Sequence, residues 1–308
     1  MKTKLGNGLI KKVDLVMWAK NGAKTLGPVL KRIGEAVPKE LVNDKVLIDD
    51  GSTDDTKLIA GKYRWTVFPN EGHGISDGAN TALGHVTTEY FLSFEQDLLL
   101  ASDWWKKIPK YVEDQKIAVA SGIRFANQPP GVRKLQQYVT RKYRGEAELA
   151  SWLKSRQMSA FTLGKTLDNT IYKTSVIKKL GGFPKLDINA GTDTMLAYRL
   201  EKAGHHWAVD YNVQSIHLRQ GLRQELKHQY FYGTQLIEIW RRIREEGNQP
   251  PPITRSGIMY RFFTSPFTGL FMSVKTREPS ITYIHPLIRF YYMKGFLETN
   301  KPRKEKLH

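Results

Sequence analysis

The stretch that decides the fold is Val46-Leu47-Ile48-Asp49-Asp50-Gly51-Ser52-Thr53-Asp54-Asp55-Thr56. Its first residues are an apolar β-strand signal, and the chain then turns through paired carboxylates and a glycine toward residues that can cap a helix. In α/β proteins, ligands bind outside the carboxyl ends of the parallel strands. The stretch therefore predicts an α/β fold with a polar binding site at this turn.

Strand and helix signals alternate through the first half of the chain at the spacing of repeated βαβ units. Apolar strand signals occur at 13–18, 45–48, 65–68 and 90–94, and helix signals at 23–36, after Thr53 or Asp54, and at 75–83. Later signals are a helix over 103–114, strands at 117–120, 171–173, 206–209 and 213–217, and helices over 175–180, 193–203 and 222–246. The alternation predicts a Rossmann-like, mainly parallel mixed sheet flanked by helices.

The length of 308 residues suits one catalytic domain with an appendage. We assign residues 1–219 to the catalytic domain, including the weakly patterned stretch 127–165, which we expect to shape an acceptor region. Residues 220–308 are assigned to a basic, aromatic-rich helical C-terminal region. A stop and a stiff linker are expected between two of its segments, at Gly247-Asn248-Gln249-Pro250-Pro251-Pro252.

The charge balance indicates an anionic partner. The chain has 48 Lys+Arg against 30 Asp+Glu, a net charge of +18, and residues 218–308 hold 16 basic and 7 acidic residues. Such an excess favours a nucleic acid, a nucleotide or an acidic membrane surface. The absence of cysteine excludes disulfides and thiolate metal ligands and is typical of a reducing compartment. With no signal-peptide pattern and no run of ~18 apolar residues, a cytoplasmic location is expected.

Three acidic clusters are the candidate site. Glu95 and Asp97 flank one residue at a strand end, so both carboxylates can reach one divalent cation or its water shell. Asp49 and Asp50 can accept hydrogen bonds from a nucleobase or a ribose hydroxyl. Asp193, at a helix start after a glycine-containing loop, is placed to act as a general base toward a hydroxyl.

In these motifs the chain resembles the inverting family 2 glycosyltransferases, which are nucleotide-diphospho-sugar transferases of GT-A fold. The resemblance spans residues 13 to 233 in the order of its motifs. These are Asn21, Asp49-Asp50-Gly51-Ser52-Thr53-Asp54, Asn70-Glu71-Gly72, a helix bearing Asn80, Tyr90 to Asp97, Gly181-Gly182-Phe183, Thr192-Asp193 with Arg199, and His217. The segment Gln229-Tyr230-Phe231-Tyr232-Gly233 resembles the stretch that follows the catalytic domain in this family.

The resemblance implies a role for each matching residue. Asp193 would be the catalytic base, and Glu95 and Asp97 would stand in the Asp-x-Asp place that carries Mn²⁺ or Mg²⁺ and the diphosphate. His217 would complete the metal site or contact the diphosphate. The residues implied to bind the nucleotide are Asn21, Asp49, Asp50, Ser52, Asn80, Glu95 and Gln96. Two departures stand out: the first metal-motif position is Glu95 instead of Asp, and the usual Glu-Asp pair is Thr192-Asp193.

The expected function is transfer of a sugar, with inversion, from a UDP- or GDP-sugar to a hydroxyl of a glycan or lipid-linked saccharide. A polyprenyl-phosphate sugar synthase, such as a dolichyl-phosphate one, is an alternative, although a phosphate acceptor needs no base. A nucleotidyltransferase would carry a Gly-rich basic loop, which residues 19–23 match poorly. A nucleic-acid-binding protein is suggested by the charge but by no recognised binding pattern. The departures at Glu95 and Thr192 also keep open a catalytically silent relative.

The C-terminal aromatic segments predict contact with a membrane. Residues 258–263, 267–272 and 284–293 are apolar and aromatic but short and interrupted, which is typical of helices that lie in a membrane interface. The basic residues at 301–306 would add attraction to anionic lipid. Peripheral attachment at the inner face of the cell membrane is therefore expected. The alternative is that these aromatic side chains pack on the catalytic domain or form a dimer interface.

Overall fold

The computed structural model describes residues 10–144, 165–185, 190–218, 221–249 and 254–299. The chain divides into two compact units, and each unit combines two stretches of sequence. The first unit comprises the described parts of Met1–Phe125 and Ala150–Leu218, and the second those of Ala126–Leu149 and Arg219–His308. The sequence predicts one boundary, after residue 219. The structure instead groups the described residues 126–144 with the C-terminal stretch, because Ala126 and Val132 pack with Ile284 in an apolar cluster.

An eight-stranded mixed sheet is the centre of the first unit. Its strands are β1 (Val13–Ala19), β2 (Val42–Asp49), β3 (Thr66–Pro69), β4 (Tyr90–Glu95), β5 (Leu98–Leu99), β6 (Ile117–Ala126), β7 (Thr170–Lys173) and β8 (His206–His217). Their order is β3-β2-β1-β4-β7-β6-β8-β5. Strands β1 to β4 pair in parallel, whereas β7 is antiparallel to both β4 and β6, and β5 is antiparallel to β8. The predicted α/β class with a mainly parallel mixed sheet is confirmed.

Helices follow the strands as the alternation predicts. In the first unit they are α1 (Ala23–Ala36), α2 (Thr56–Lys62), α3 (Gly74–Gly84), α4 (Trp104–Lys107), α6 (Thr174–Lys179) and α7 (Thr192–Lys202). Helix α5 (Pro130–Arg144) lies between α4 and α6 in the sequence and belongs to the second unit. The predicted helix over 103–114 is divided into α4 and a 3₁₀ turn at Pro109–Glu113, because Pro109 has no N–H to continue the helical ladder. The two strands predicted at 206–209 and 213–217 are one continuous strand.

The register of the parallel strands gathers their carboxyl ends. Ala19 at the end of β1 pairs with Asp49 at the end of β2, and Trp18 pairs with Glu95 at the end of β4. Because β1 lies between β2 and β4, the turns that follow all three strands open at one edge of the sheet. The two predicted acidic turns therefore flank the turn after β1.

The second unit is helical. With α5, it contains α8 (Leu222–Glu245), α9 (Arg255–Phe263), α10 (Ser265–Thr276) and α11 (Ile281–Thr299). Helices α8 and α11 touch at two glycines. A Cβ on Gly233 would overlap the backbone carbonyl of Tyr292, and a Cβ on Gly295 would overlap that of Tyr230. The two backbones are therefore in direct contact, which only glycine permits at these positions.

No helix within the described residues is both long and apolar enough to cross a membrane.

Candidate active site

Glu95, Asp97 and His217 form a cluster at the carboxyl end of β4. His217 Nε2 lies 3.3 Å from Asp97 Oδ1 and 3.7 Å from Glu95 Oε2, and the candidate ligand atoms of the three residues lie within 4.8 Å of one another. The pairing of Leu98 with His217 between β5 and β8 produces this proximity, and the N–H of Leu218 donates to the Asp97 carbonyl at 2.7 Å. The structure thus brings together the three residues predicted as metal ligands.

The chemistry of this donor set fits a divalent cation. Carboxylate oxygens are preferred ligands of Mg²⁺ and Mn²⁺, and an imidazole nitrogen is a common further ligand. Burial lowers the pKa of His217, but its hydrogen bonds with Asp97 and Glu95 outweigh that effect and leave the pKa raised. The raised pKa favours the protonated imidazole, whose charge would balance that of the two carboxylates. A bound cation would take over this charge balance and would require the neutral ring.

Arg124 and Asp168 extend the cluster, and the sequence analysis identified neither. Arg124 Nη1 donates to Glu95 Oε2 at 2.9 Å and to Asp168 Oδ2 at 2.6 Å. Asp168 is fully buried, and burial raises its pKa to about 6 against the opposing effect of Arg124. Among the described residues, no hydrogen bond reaches Asp168 Oδ1. Arg124 thus contacts both Glu95, a candidate metal ligand, and the buried Asp168.

Strand register explains why these two residues arrive at the site. Thr170 of β7 pairs with Ser93 of β4 and with Ser121 of β6. Asp168 lies two residues before Thr170, just ahead of β7, and Arg124 lies three residues after Ser121 in β6. Both residues are therefore displaced from these pairs toward the site. The sequence predicts a strand only up to residue 120, whereas β6 continues through Ser121 and Gly122 to Ala126 and so carries Arg124 to the site.

The turn after β2 is held by its own polar groups. The N–H of Ser52 donates to both carboxylate oxygens of Asp49, at 3.2 and 3.1 Å. Across the turn, the N–H of Asn21 donates to Ser52 Oγ at 2.9 Å, and the N–H of Thr53 donates to Asn21 Oδ1 at 2.9 Å. Asn21, Asp49 and Ser52, all predicted to bind the nucleoside, therefore lie together and fix the two turns against each other.

Asp50 faces the turn before α3. Its Oδ1 accepts from Asn70 Nδ2 at 2.8 Å and from the N–H of Gly74 at 3.2 Å, and Lys20 Nζ lies 3.4 Å from its Oδ2. Asp50 thus links the Asp49-Asp50-Gly51-Ser52 motif to the Asn70-Glu71-Gly72 motif. The sequence shows the order of the two motifs along the chain but not this contact.

Gln96 and Asn80 are used to position backbone. Gln96 accepts from the N–H of Lys20 at 2.8 Å and donates to the Lys20 carbonyl at 3.0 Å. Asn80 accepts from the N–H of Phe183 at 2.8 Å and donates to the Phe183 carbonyl at 2.9 Å. Both amides therefore hold loops at the site, and direct contact of either residue with a nucleotide stays a prediction.

Asp193 is the second residue of α7, and Gly191, whose φ of 90° favours glycine, precedes the helix. Asp193 Oδ1 accepts from the N–H of Thr194 at 2.7 Å and from its hydroxyl at 3.3 Å, and within the described residues no hydrogen bond reaches Oδ2. Burial raises the pKa of Asp193, whereas the N–H of Thr194 and the charge of Arg124 lower it. Oδ2 is thus the carboxylate oxygen left for a proton, and the role of Asp193 as a base stays a prediction.

Thr192 explains the departure from the acidic pair. It is buried, and its hydroxyl lies 2.7 Å from Ser76 Oγ on α3. A carboxylate at this position would be buried against a single hydroxyl, which is costly. Threonine satisfies the position with a neutral hydrogen bond, so the chain keeps one acidic residue in this turn.

Lys165 is a second cation near this turn. Burial lowers the pKa of Lys165 to about 8, while the charges of Glu201 and Asp193 oppose that shift. Lys165 carries no sequence signal of its own because it belongs to a weakly patterned stretch with many basic residues.

A sheet whose carboxyl ends gather a carboxylate turn, a carboxylate-histidine cluster and a helix-borne aspartate is the arrangement of the GT-A transferases. The sequence matches glycosyl transferase family 2 over residues 14–179, and the chain belongs to this family. Both the family predicted from the motifs and the enzyme class, a glycosyltransferase, are confirmed.

Solved structures share the fold at low sequence identity. The mannosyltransferase PcManGT from Pyrobaculum calidifontis, in complex with GDP-Man and Mn²⁺, is 17% identical with a TM-score of 0.64, over 94% of this chain and 86% of that one. Glucosyl-3-phosphoglycerate synthase from Mycobacterium tuberculosis, with Mn²⁺, UDP and glucosyl-3-phosphoglycerate, is 15% identical with a TM-score of 0.54, over 79% of this chain and 82% of that one. S. aureus TarS 1-349 is 15% identical with a TM-score of 0.50, over 93% and 90%. No curated protein sequence matches the chain.

Proposed function

We propose that the protein transfers a sugar from a nucleotide-diphospho-sugar to an acceptor hydroxyl with inversion of the anomeric configuration. The observation that carries the proposal is the meeting of Glu95, Asp97 and His217 at the sheet edge that also holds Asp49. One end of this edge offers acceptors for a nucleoside, and the other offers ligands for the cation that accompanies a diphosphate.

A UDP- or GDP-sugar is the proposed donor. The mannosyltransferase of similar fold is bound to GDP-Man, and the glucosyl-3-phosphoglycerate synthase has been crystallised with UDP-glucose. Both complexes contain Mn²⁺, which supports a divalent cation for this chain as well. In this chain, Asn21, Asp49, Asp50 and Ser52 would surround the nucleoside, with Gln96 and Asn80 keeping the neighbouring loops in place.

Glu95, Asp97 and His217 would hold Mn²⁺ or Mg²⁺. When bound, such a cation supplies positive charge to a diphosphate leaving group. Arg124 contributes its own positive charge beside Glu95, at 2.9 Å from the carboxylate. It keeps Glu95 oriented, and its second contact, with Asp168, keeps Arg124 itself in place.

Asp193 is the proposed base. Its Oδ2 would accept the proton of the acceptor hydroxyl as the hydroxyl oxygen bonds to the anomeric carbon, and the bond from that carbon to the diphosphate breaks with its electron pair leaving on the nucleotide. A carboxylate with a raised pKa is a better base than an ordinary aspartate. This favours a hydroxyl acceptor over the phosphate acceptor of a polyprenyl-phosphate sugar synthase, because a phosphate needs no base.

The proposed acceptor is a glycan or a lipid-linked saccharide. A lipid-linked acceptor lies at a bilayer, so the proposal includes peripheral attachment at the inner face of the cell membrane. Nucleic-acid binding is not proposed, because carboxylates line the candidate site and no recognised nucleic-acid-binding pattern occurs in the sequence.

A ligand screen tests the donor first. Thermal shift with UDP-, GDP- and dTDP-sugars, each with and without Mn²⁺ or Mg²⁺, should give stabilisation by one nucleotide class that requires the cation. Transfer to saccharide acceptors should then give a product of inverted configuration by NMR. Stabilisation by none of the donors, or a product of retained configuration, would contradict the proposal.

A further inference from the structure

Helix α10 presents its apolar side to the outside. Phe267, Leu270, Phe271 and Val274 recur at the spacing of one helical face, and they are 77%, 55%, 54% and 70% exposed. A surface helix of a water-soluble protein normally turns such a stripe toward the core. In α10 the apolar stripe is therefore available to something other than the protein itself.

The inward side of α10 is small and polar, and it fixes the orientation of the helix. Ser265, Gly269 and Ser273 are its buried residues. A Cβ on Gly269 would already lie 3.2 Å from the carbonyl oxygen of Ile281, and His285 Nδ1 of α11 lies 3.1 Å from the Ser265 carbonyl. Turning the helix to bury its aromatic rings would force large side chains into this close backbone contact, so the outward stripe is a stable property of the fold.

The preceding helix continues the surface. Tyr260 and Phe263 of α9 are 69% and 64% exposed. Of the ten large apolar side chains that are exposed in the described residues, eight lie between Tyr260 and Phe290. Such clustering is characteristic of a binding surface, whereas single exposed apolar residues are ordinary.

The charged residues within α9 and α10 and at the end of α10 are basic, up to Glu278, which pairs with Lys134. The described stretch 254–277 contains four basic residues and no carboxylate; these are Arg255, Arg261, Lys275 and Arg277. Lys275 Nζ lies 5.6 Å from the centre of the Phe271 ring, so a cation borders the apolar stripe directly. A second copy of the chain would bring the same cations against their counterparts in a symmetric dimer. An anionic bilayer instead offers acyl chains to the rings and phosphates to the cations.

We propose that the outward faces of α9 and α10 form a membrane-binding surface that inserts at the headgroup–acyl boundary of a bilayer containing anionic phospholipid. This proposal identifies the part of the protein that would make the peripheral attachment included in the proposed function, and it rests on that function. Its physical test needs no donor or acceptor, so failure of membrane binding and failure of sugar transfer are separate results.

Vesicle flotation of the full chain tests the surface. Vesicles of phosphatidylcholine with phosphatidylglycerol are compared with vesicles of phosphatidylcholine alone, at low and high salt. The wild type should float with the mixed vesicles, and less so at high salt, because screening weakens attraction between exposed charges. The double variant Phe267→Ser with Phe271→Ser should reduce the partition coefficient by about tenfold or more, because two inserted rings are lost.

Two further variants keep the test specific. Arg261→Gln with Lys275→Gln should reduce binding to mixed vesicles while leaving the weaker binding to neutral vesicles unchanged. Leu58→Ser removes an apolar side chain of similar exposure from α2 in the first unit. It should change neither the binding to mixed vesicles nor the binding to neutral vesicles. Circular dichroism and thermal unfolding of each variant check that the fold is kept.

The proposal is overturned if the wild type does not bind mixed vesicles, or if the double aromatic variant binds as well as the wild type. It is also overturned if gel filtration finds the wild type dimeric and the aromatic variant monomeric while neither floats, since the surface would then be an interface between copies.

Discussion

The guanidinium of Arg124 and the carboxyl of Asp168 form an ion pair that is buried on the Asp168 side, with Nη1 2.6 Å from Oδ2. Asp168 is fully buried, so its charge has no access to water and depends on Arg124. Breaking a buried pair from one side is more damaging than replacing both partners, because an uncompensated charge remains. This relationship makes the candidate metal site sensitive to Asp168, which reaches the predicted ligand Glu95 only through Arg124.

We expect Arg124→Met to lower the free energy of unfolding by about 3–5 kcal/mol at pH 7. Burial already raises the pKa of Asp168 to about 6, and without Arg124 that pKa rises further. The group binds its proton more tightly in the folded state than in the unfolded state, so stability is lost as pH rises through the folded pKa. The deficit of the variant should therefore be smaller at pH 5 than at pH 7, as measured by urea unfolding.

A double variant distinguishes the effect of the broken ion pair from the effect of altered packing at residue 124. Arg124→Met combined with Asp168→Asn removes both charges and should recover most of the stability lost in the single variant. A double variant as unstable as Arg124→Met alone would show that the loss comes from packing at residue 124, in disagreement with the electrostatic explanation.

The second prediction concerns the pH dependence of transfer. Asp193 must be deprotonated to act as a base, and burial raises its pKa, so the rate should fall as pH decreases through a value above the ordinary aspartate range. Replacing Lys165 with Met removes a nearby positive charge that favours the carboxylate, so the acidic limb of the profile of kcat/KM against pH should move to higher pH. If the acidic limb of the profile does not move, the charge of Lys165 has no effect on the pKa of the base.

Asp193→Asn tests the base itself. We expect transfer to fall by about 10²-fold or more, since general base catalysis is worth that much, while calorimetry should find nucleotide binding nearly unchanged. Substantial residual transfer in this variant would reject the assignment of Asp193.

The third prediction concerns the cation. Asp97→Ala should weaken Mn²⁺ binding by more than about tenfold, because it removes one of three clustered candidate ligands. Titration calorimetry of the protein without nucleotide measures this directly and does not depend on activity. Asp103→Ala is the matched control, because Asp103 is a half-exposed carboxylate of the same unit that pairs with Lys107. Equal affinities in the two variants would place the cation elsewhere.

The fourth prediction concerns the glycine contact of α8 with α11. Gly233→Ala should lower the free energy of unfolding by about 1–3 kcal/mol, because the added methyl overlaps the backbone of Tyr292 and the helices must separate. Gly34→Ala in α1 is the control. No atom lies within 4 Å of a Cβ there, so the same change should stabilise by about 0.5–1 kcal/mol. Opposite signs in thermal unfolding would support the close contact, and a neutral Gly233→Ala would contradict it.

The strands and the ordered acidic motifs could be predicted from sequence because each is a local signal. The run Val46-Leu47-Ile48 and the turn Asp49-Asp50-Gly51-Ser52 are contiguous, so strand, turn and site could be identified together. Asp97 and His217 lie far apart in sequence, and the family resemblance alone connected them. Their proximity depends on the pairing of β5 with β8, which no local pattern specifies.

Residues that act across strands were missed for the same reason. Arg124 and Asp168 meet only because β7 runs antiparallel between β4 and β6, and β7 is four residues long. A lone arginine in a basic chain carries no signal of its own. The grouping of α5 with the C-terminal helices was missed because its contacts are with residues such as Ile284, more than a hundred positions away.

The pairing of Gln96 with both backbone groups of Lys20 joins the turn beside the nucleoside residues to the turn that carries the candidate metal ligands. A displacement of either turn is therefore transmitted to the other through one amide. In the proposed donor site, binding at one end is therefore expected to change the affinity at the other end, and by linkage the change is equal in both directions. Donor binding would then depend on both turns together, and the effect of a substitution in one turn would depend on the state of the other turn.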